Sequence, residues 1–247
     1  MKKISFFLSV GIILSVFSTA AFSQLSDSLS ALLSPNVPIE SIPKDLKLPD
    51  KVIPFLKTEF DNTIGKQGSF DVQFKIVLMA TMVTNIPSQK FDFLNDVVMF
   101  EVRNAIQTAQ KTTAISPDAR VLAINAISAS SNSNYVSTML AVVERDDSVK
   151  PRIAAAKVLP ALGNNDLIVP KLLDLVKNQY GGSRAKFDEN DQKRYDDDRV
   201  AQAIIETLGD LGDPRSFAVL LQTVMNPDMH RDDTIKAGWD AIKKLKW

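Results

Sequence analysis

Cysteine is missing from the chain altogether, and histidine occurs once, at His230. Without thiols no disulfide can hold the fold, and no residue near the N-terminus can carry the lipid of a lipoprotein. A Cys/His nucleophilic pair and a multi-histidine zinc site are excluded by the same count. The sequence also lacks G-x-S-x-G, a glycine-rich phosphate loop and a carboxylate pair in a recognisable catalytic setting. Net charge is absent as well, with 29 basic and 29 acidic residues in 247. Nothing therefore gives the chain the electrostatic footprint of a nucleic-acid or anionic-membrane binder. No catalytic residue, metal ligand or cofactor is expected.

Apolar runs are short everywhere but at the start, "MKKISFFLSVGIILSVFSTAAFSQ". Two lysines, an apolar stretch too short to span a bilayer comfortably, and small residues at Ala21 and Ser23 form the layout of a secretory signal peptide. The expected signal covers residues 1–23, with cleavage after Ser23 and Gln24 as the new terminus; an uncleaved anchor is the alternative. The compact signal has a bacterial character. A periplasmic or secreted protein is expected, with no transmembrane segment in its mature chain.

Residues 24–50 are rich in serine and proline. Pro35, Pro38, Pro43 and Pro49 are spaced too closely for a long helix. One amphipathic turn through Leu25, Leu29, Leu32 and Leu33 is expected, and the remainder should be extended. Val37, Ile39, Ile42, Leu46 and Leu48 make it a strap on the body rather than a free tail. From residue 51 to 247 the periodicity is helical and no two-residue alternation is sustained, which predicts about ten helices and no sheet.

A repeat decides the architecture. "ARVLAINAISASSN" from Ala119, "PRIAAAKVLPALGN" from Pro151 and "VAQAIIETLGDLGD" from Val200 align, and "TIKAGWDAIKKLK" from Thr234 follows less closely, with starts 32, 49 and 34 residues apart. Small or apolar residues recur in register: Ala123 with Ile124, Ala155 with Ala156, Ile204 with Ile205, Gly238 with Trp239. A turn further on stand Ala126 with Ile127, Val158 with Leu159, Thr207 with Leu208, and Ala241 with Ile242. That spacing belongs to a helix face meeting a close neighbour. Each of the first three units continues through a polar turn into a second apolar helix, so the unit reads as a helical hairpin. In "LGDLGDP", Gly212 suits a helix C-terminus, Asp213 an N-cap and Pro214 a first helical position. Pro160 lies inside its helix and should kink it.

These residues resemble HEAT and HEAT-like repeats, including the variety named after phycobilisome lyases. Arg152, Ala155, Ala156, Val158, Leu159, Leu162 and Gly163 fit the pattern, as do Val200, Leu208, Gly209, Leu211, Gly212 and Asp213. Ala201 stands where the family prefers arginine. The likeness covers Pro117 to Trp247, and the earlier helices fit only as degenerate repeats. It implies an all-α, right-handed α-solenoid of stacked antiparallel helical hairpins. The function it implies is non-enzymatic: binding or scaffolding of a protein or peptide partner in the cell envelope. An enzyme of a lyase-type family and a purely structural envelope component are the alternatives.

The long spacing between the second and third units comes from an insertion, residues 179–196. Gly181 and Gly182 supply a hinge, Tyr180, Phe187 and Tyr195 contact groups, and Arg184 and Lys186 part of its charge. Such a loop is either a binding element or a solvated ornament. Its acids lack the order of a calcium loop, and Asp198 and its neighbours read as charges at the start of a helix near Val200. His230 reads as a turn residue. If the second helices line a binding surface, as the resemblance implies, Lys171, Asp174, Lys177, Gln222 and Thr223 join the insertion as candidate contacts.

Overall fold

The computed structural model describes residues 19–84, 88–104, 113–180 and 186–247, with backbone alone at 19–21, 179 and 180. Residues 1–18, which hold the apolar run of the expected signal, lie outside the described residues. The fold is all-α: among the described residues there are eleven α-helices and no strand, only one isolated bridge between Leu48 and Val83. No helix among them is long and apolar enough to cross a membrane.

The first helix, α1 (Thr19–Leu33), is longer than the single turn expected of this segment. No proline interrupts it until Pro35, and the hydroxyls of Ser26 and Ser28 bond back to the carbonyls of Ser23 and Gln24 instead of ending it. Leu29 and Leu33 are buried. After it, the prolines restrict the chain to two short 3-10 turns, Ile39–Ser41 and Asp50–Val52. This segment is tied down rather than free. The buried Lys75 ammonium donates to the carbonyls of Ser34, at 2.8 Å, and Val37, and the Leu48 amide and carbonyl bond to Met82 O and Thr84 N at 3.1 Å each.

The body consists of α2 (Ile53–Asp61), α3 (Phe70–Thr81), α4 (Ser88–Asn104), α5 (Pro117–Ser128), α6 (Val136–Arg145), α7 (Val149–Leu162), α8 (Asn165–Leu175), α9 (Gln192–Leu211), α10 (Phe217–Val224) and α11 (Asp232–Lys243). Helices α3, α5, α7, α9 and α11 each pack on the next, and α2, α4, α6 and α8 do the same. The small-residue register places the contacts of the first row. Ala123, Ile124, Ala155, Ala156, Ile204 and Ile205 have no exposed surface, and Gly238 is buried too. Trp239 breaks the register at 46% exposed, with no helix among the described residues packed over it. Each fully buried aliphatic side chain is worth roughly 1.5–3 kcal/mol, against about 0–1 for an exposed ion pair. The apolar faces therefore hold the stack.

Turn chemistry sets the ends. Ser116 caps α5, its hydroxyl accepting from the Ala119 amide at 3.3 Å, with Pro117 at the first position. Gly212 closes α9 in the left-handed region (φ 66°), and Asp213 accepts from the Arg215 amide at 2.9 Å. Pro214 then opens a 3-10 turn leading into α10. The corner at Gly163 (φ 75°) differs by adding Asn164 in the left-handed region (φ 68°).

The tightest hairpins are offset from the sequence units. Close backbone approach between consecutive helices occurs for α4 with α5, α6 with α7 and α10 with α11, not for α5 with α6, α7 with α8 or α9 with α10. At the α6–α7 corner the cause is visible. Asp146 Oδ1 accepts from the Ser148 amide at 2.8 Å, and Arg152 Nε reaches back to Val143 O at 2.9 Å, closing the turn.

Candidate functional site

Two buried clusters of charged groups stand out. In the first, Arg120 of α5 has no exposed surface. Its guanidinium lies 2.9 Å from Asp146, 2.8 Å from Asp147 and 3.6 Å from Glu101. Glu101 in turn accepts the amides of Ala114 and Ile115 at 2.7 and 2.9 Å. Burial pushes the Asp146 carboxyl up to about 6, while Arg120 and the Ser148 amide pull it down and Asp147 adds to the rise. This knot ties α4 and α5 to the α6–α7 corner. With its central cation wholly enclosed, its role is to hold helices together.

The second cluster opens on a cavity. Asp198 lies in the second turn of α9 and is buried, as are His230 and Thr234. Its Oδ1 is 2.7 Å from His230 Nδ1, while Oδ2 accepts from the Thr234 hydroxyl at 2.6 Å and the Arg231 amide at 3.2 Å. A carboxylate so placed only accepts, so Nδ1 carries a proton, and in the neutral ring Nε2 keeps its lone pair. The 3-10 turn Pro227–Met229 delivers His230 to this position. Behind it, the Arg231 guanidinium sits 4.8 Å from the centre of the Tyr195 ring.

His230 lines a cleft of about 150 Å³ together with Val176, Lys177, Val219, Gln222, Thr223, Asn226 and Met229. One wall comes from a π-helical turn, Val176–Tyr180, that extends α8. Such turns arise where the helical bonding slips by one residue, and they are frequent at functional sites. The other wall is α10. The returning end of the insertion packs alongside: the Phe187 amide donates to Asp228 O at 2.7 Å, and the Lys186 ammonium lies 3.0 Å from the Asp228 carboxylate.

Of the residues singled out from sequence, Lys177, Gln222 and Thr223 meet in this cleft. Lys186 and Phe187 lie beside it. Lys171 is bound to Glu144 of α6 at 2.8 Å, and Asp174 accepts from the Asn178 amide group within its own helix. Tyr180 ends the π-helical turn, and Tyr195 belongs to the first turn of α9 rather than to a loop. Arg184, with Gly181 and Gly182, lies outside the described residues.

Two expectations are corrected. Helix α9 starts at Gln192, not near Val200, because Asp191 supplies the N-cap, accepting from the Arg194 amide at 3.1 Å. Asp198 is consequently not an end charge but an interior group facing His230. The signal that would have found it is its register: Asp198 shares a buried stripe with Ala201, Ile205 and Leu208, and a carboxylate in such a stripe requires a partner.

Chemically, the cleft offers a ring nitrogen that accepts hydrogen bonds, an ammonium, two carboxamides and an apolar floor. The Thr223 hydroxyl donates to Val219 O in its own helix at 3.1 Å, so it is not poised as a nucleophile. Among the described residues no group of acids and histidines could hold a metal ion. No protein family, curated protein or solved structure matches the chain.

Proposed function

We propose that the chain is a non-enzymatic binding or scaffolding protein of the bacterial cell envelope, a right-handed HEAT-like α-solenoid that holds a protein or peptide partner. The observation that carries this reading is the meeting of Lys177, Gln222 and Thr223 from α10 and the end of α8 at one cleft, on a body whose alternate helices pack in two rows. In a stacked array the second helices form a continuous surface, and a partner laid along it reaches several units at once. The N-terminal layout supports export. An acid–base enzyme is the second reading, favoured by the Asp198–His230 pair alone.

Photo-crosslinking from position 222 in the native cell tests the first reading. An adduct with an envelope protein, missing when the crosslinker is moved to position 157, exposed on α7 in the other row, is the expected result. Equal adducts from both positions, or none from 222, sink it. Fractionation with N-terminal sequencing tests the location: a periplasmic or secreted chain starting at Gln24 is expected, and an intact Met1 in the cytoplasm contradicts export.

A further inference from the structure

We propose that the cleft at His230 receives the free C-terminus of a peptide, its last amide N–H on His230 Nε2 and its carboxylate on Lys177. The inference rests on the reading of the chain as a protein- or peptide-binding array, and it names what that site recognises.

Three observations fix the chemistry of the occupant. His230 is only 7% exposed, and its Nδ1 is committed to Asp198. Nε2 has no hydrogen-bond partner among the described residues, so in the neutral ring it presents a lone pair and calls for a donor from the occupant. Second, Lys177 is exposed, enters no ion pair among the described residues, and no carboxylate lines the cleft. Its ammonium offers donors alone, so the occupant must also bring an acceptor, best an anionic one. Third, Val176, Val219 and Met229 give the cleft of about 150 Å³ an apolar lining, which suits an apolar side chain.

A carboxylate by itself brings no donor to Nε2 of the neutral ring. An amine by itself fails at Lys177. The terminal residue of a chain has the donor, the carboxylate and a small apolar side chain on adjacent atoms, and capture of chain ends is an established mode of peptide recognition. A free amino acid shares this chemistry, so the experiment separates the two sources.

Because the protein has one histidine, its ring gives one set of NMR signals. The probe is the peptide Ac-Ala-Ala-Val with a free carboxyl, compared with its C-terminal amide and with free valine. The free acid is expected to shift the His230 ring signals saturably, and the amide and valine are expected to bind at least ~10-fold more weakly. Lys177→Ala, an exposed substitution that leaves the core alone, should weaken the acid ~10-fold and leave the amide unchanged. Asp198→Asn should weaken it too, because a carboxamide facing Nδ1 allows the proton to move to Nε2.

Equal binding of acid and amide, binding of valine as tight as the peptide, or no movement of the His230 signals at ~10 mM peptide, a level at which even a weak site fills, each overturns the proposal. Crosslinking from position 222 that still captures a partner would then leave the array a binder that does not read chain ends.

Discussion

The Thr207 hydroxyl of α9 lies 3.0 Å from the carbonyl oxygen of Ala156 in α7. That carbonyl is the one Pro160 leaves without its helical donor, since Pro160 stands four residues on and has no amide hydrogen. The same hydroxyl is 2.8 Å from Ala203 O in its own helix, so one proton serves both. A defect in one helix is met by the neighbour that packs on it.

Thr207→Val should accordingly cost about 1–3 kcal/mol, the penalty of a buried carbonyl left unsatisfied. Pro160→Ala restores the amide donor and should reduce that cost by about 1 kcal/mol or more. Urea unfolding of both single variants and the double variant measures the coupling. Additive effects would contradict the relationship.

Helices α9 and α11 touch through glycine. A Cβ on Gly209 would lie 2.7 Å from Ala241 Cα, a backbone atom that cannot step aside. Gly209→Ala should destabilise by about 1–3 kcal/mol through forced separation of the helices. Gly163→Ala meets no atom within 4 Å, and its cost, about 1–3 kcal/mol, comes from a backbone conformation (φ 75°, ψ −165°) that glycine alone adopts readily. Thermal melts of the two variants check both losses, and a Gly209→Ala melt unchanged from wild type would contradict the close approach.

Asp146 gives a pH signature. Its carboxyl, raised by burial to about 6 from 3.8, binds a proton more readily folded than unfolded. The stabilisation from that proton is complete below pH 3.8 and is lost as pH rises through about 6. Stability of the wild type relative to Asp146→Asn should therefore fall by up to roughly 3 kcal/mol across that window. Denaturant melts at several pH values check the slope, and a wild-type advantage that grows with rising pH would contradict it.

Much of the architecture was legible because it is local. Small residues three and four apart place the packed faces, and Gly212–Asp213–Pro214 contains its own turn chemistry. The α9 start was misplaced because Asp196, Asp197 and Asp198 look alike in sequence, and only packing separates the buried one. His230 lies 32 residues from Asp198, a separation at which no local pattern pairs them. The hairpin offset was hidden for the same reason, since close approach between helices depends on corners such as Asp146–Ser148 and not on repeat period. Lys177, Gln222 and Thr223 were candidates through the resemblance to HEAT-like repeats, and their meeting with His230 is a product of the fold.

The central claim is that Asp198 holds the His230 ring with its lone pair toward the cleft. A long-range ¹H–¹⁵N spectrum of the single histidine reads this directly. The account predicts a proton on Nδ1 and a bare Nε2, with the pattern reversed or mixed in Asp198→Asn. A proton on Nε2 in the wild-type protein would contradict it.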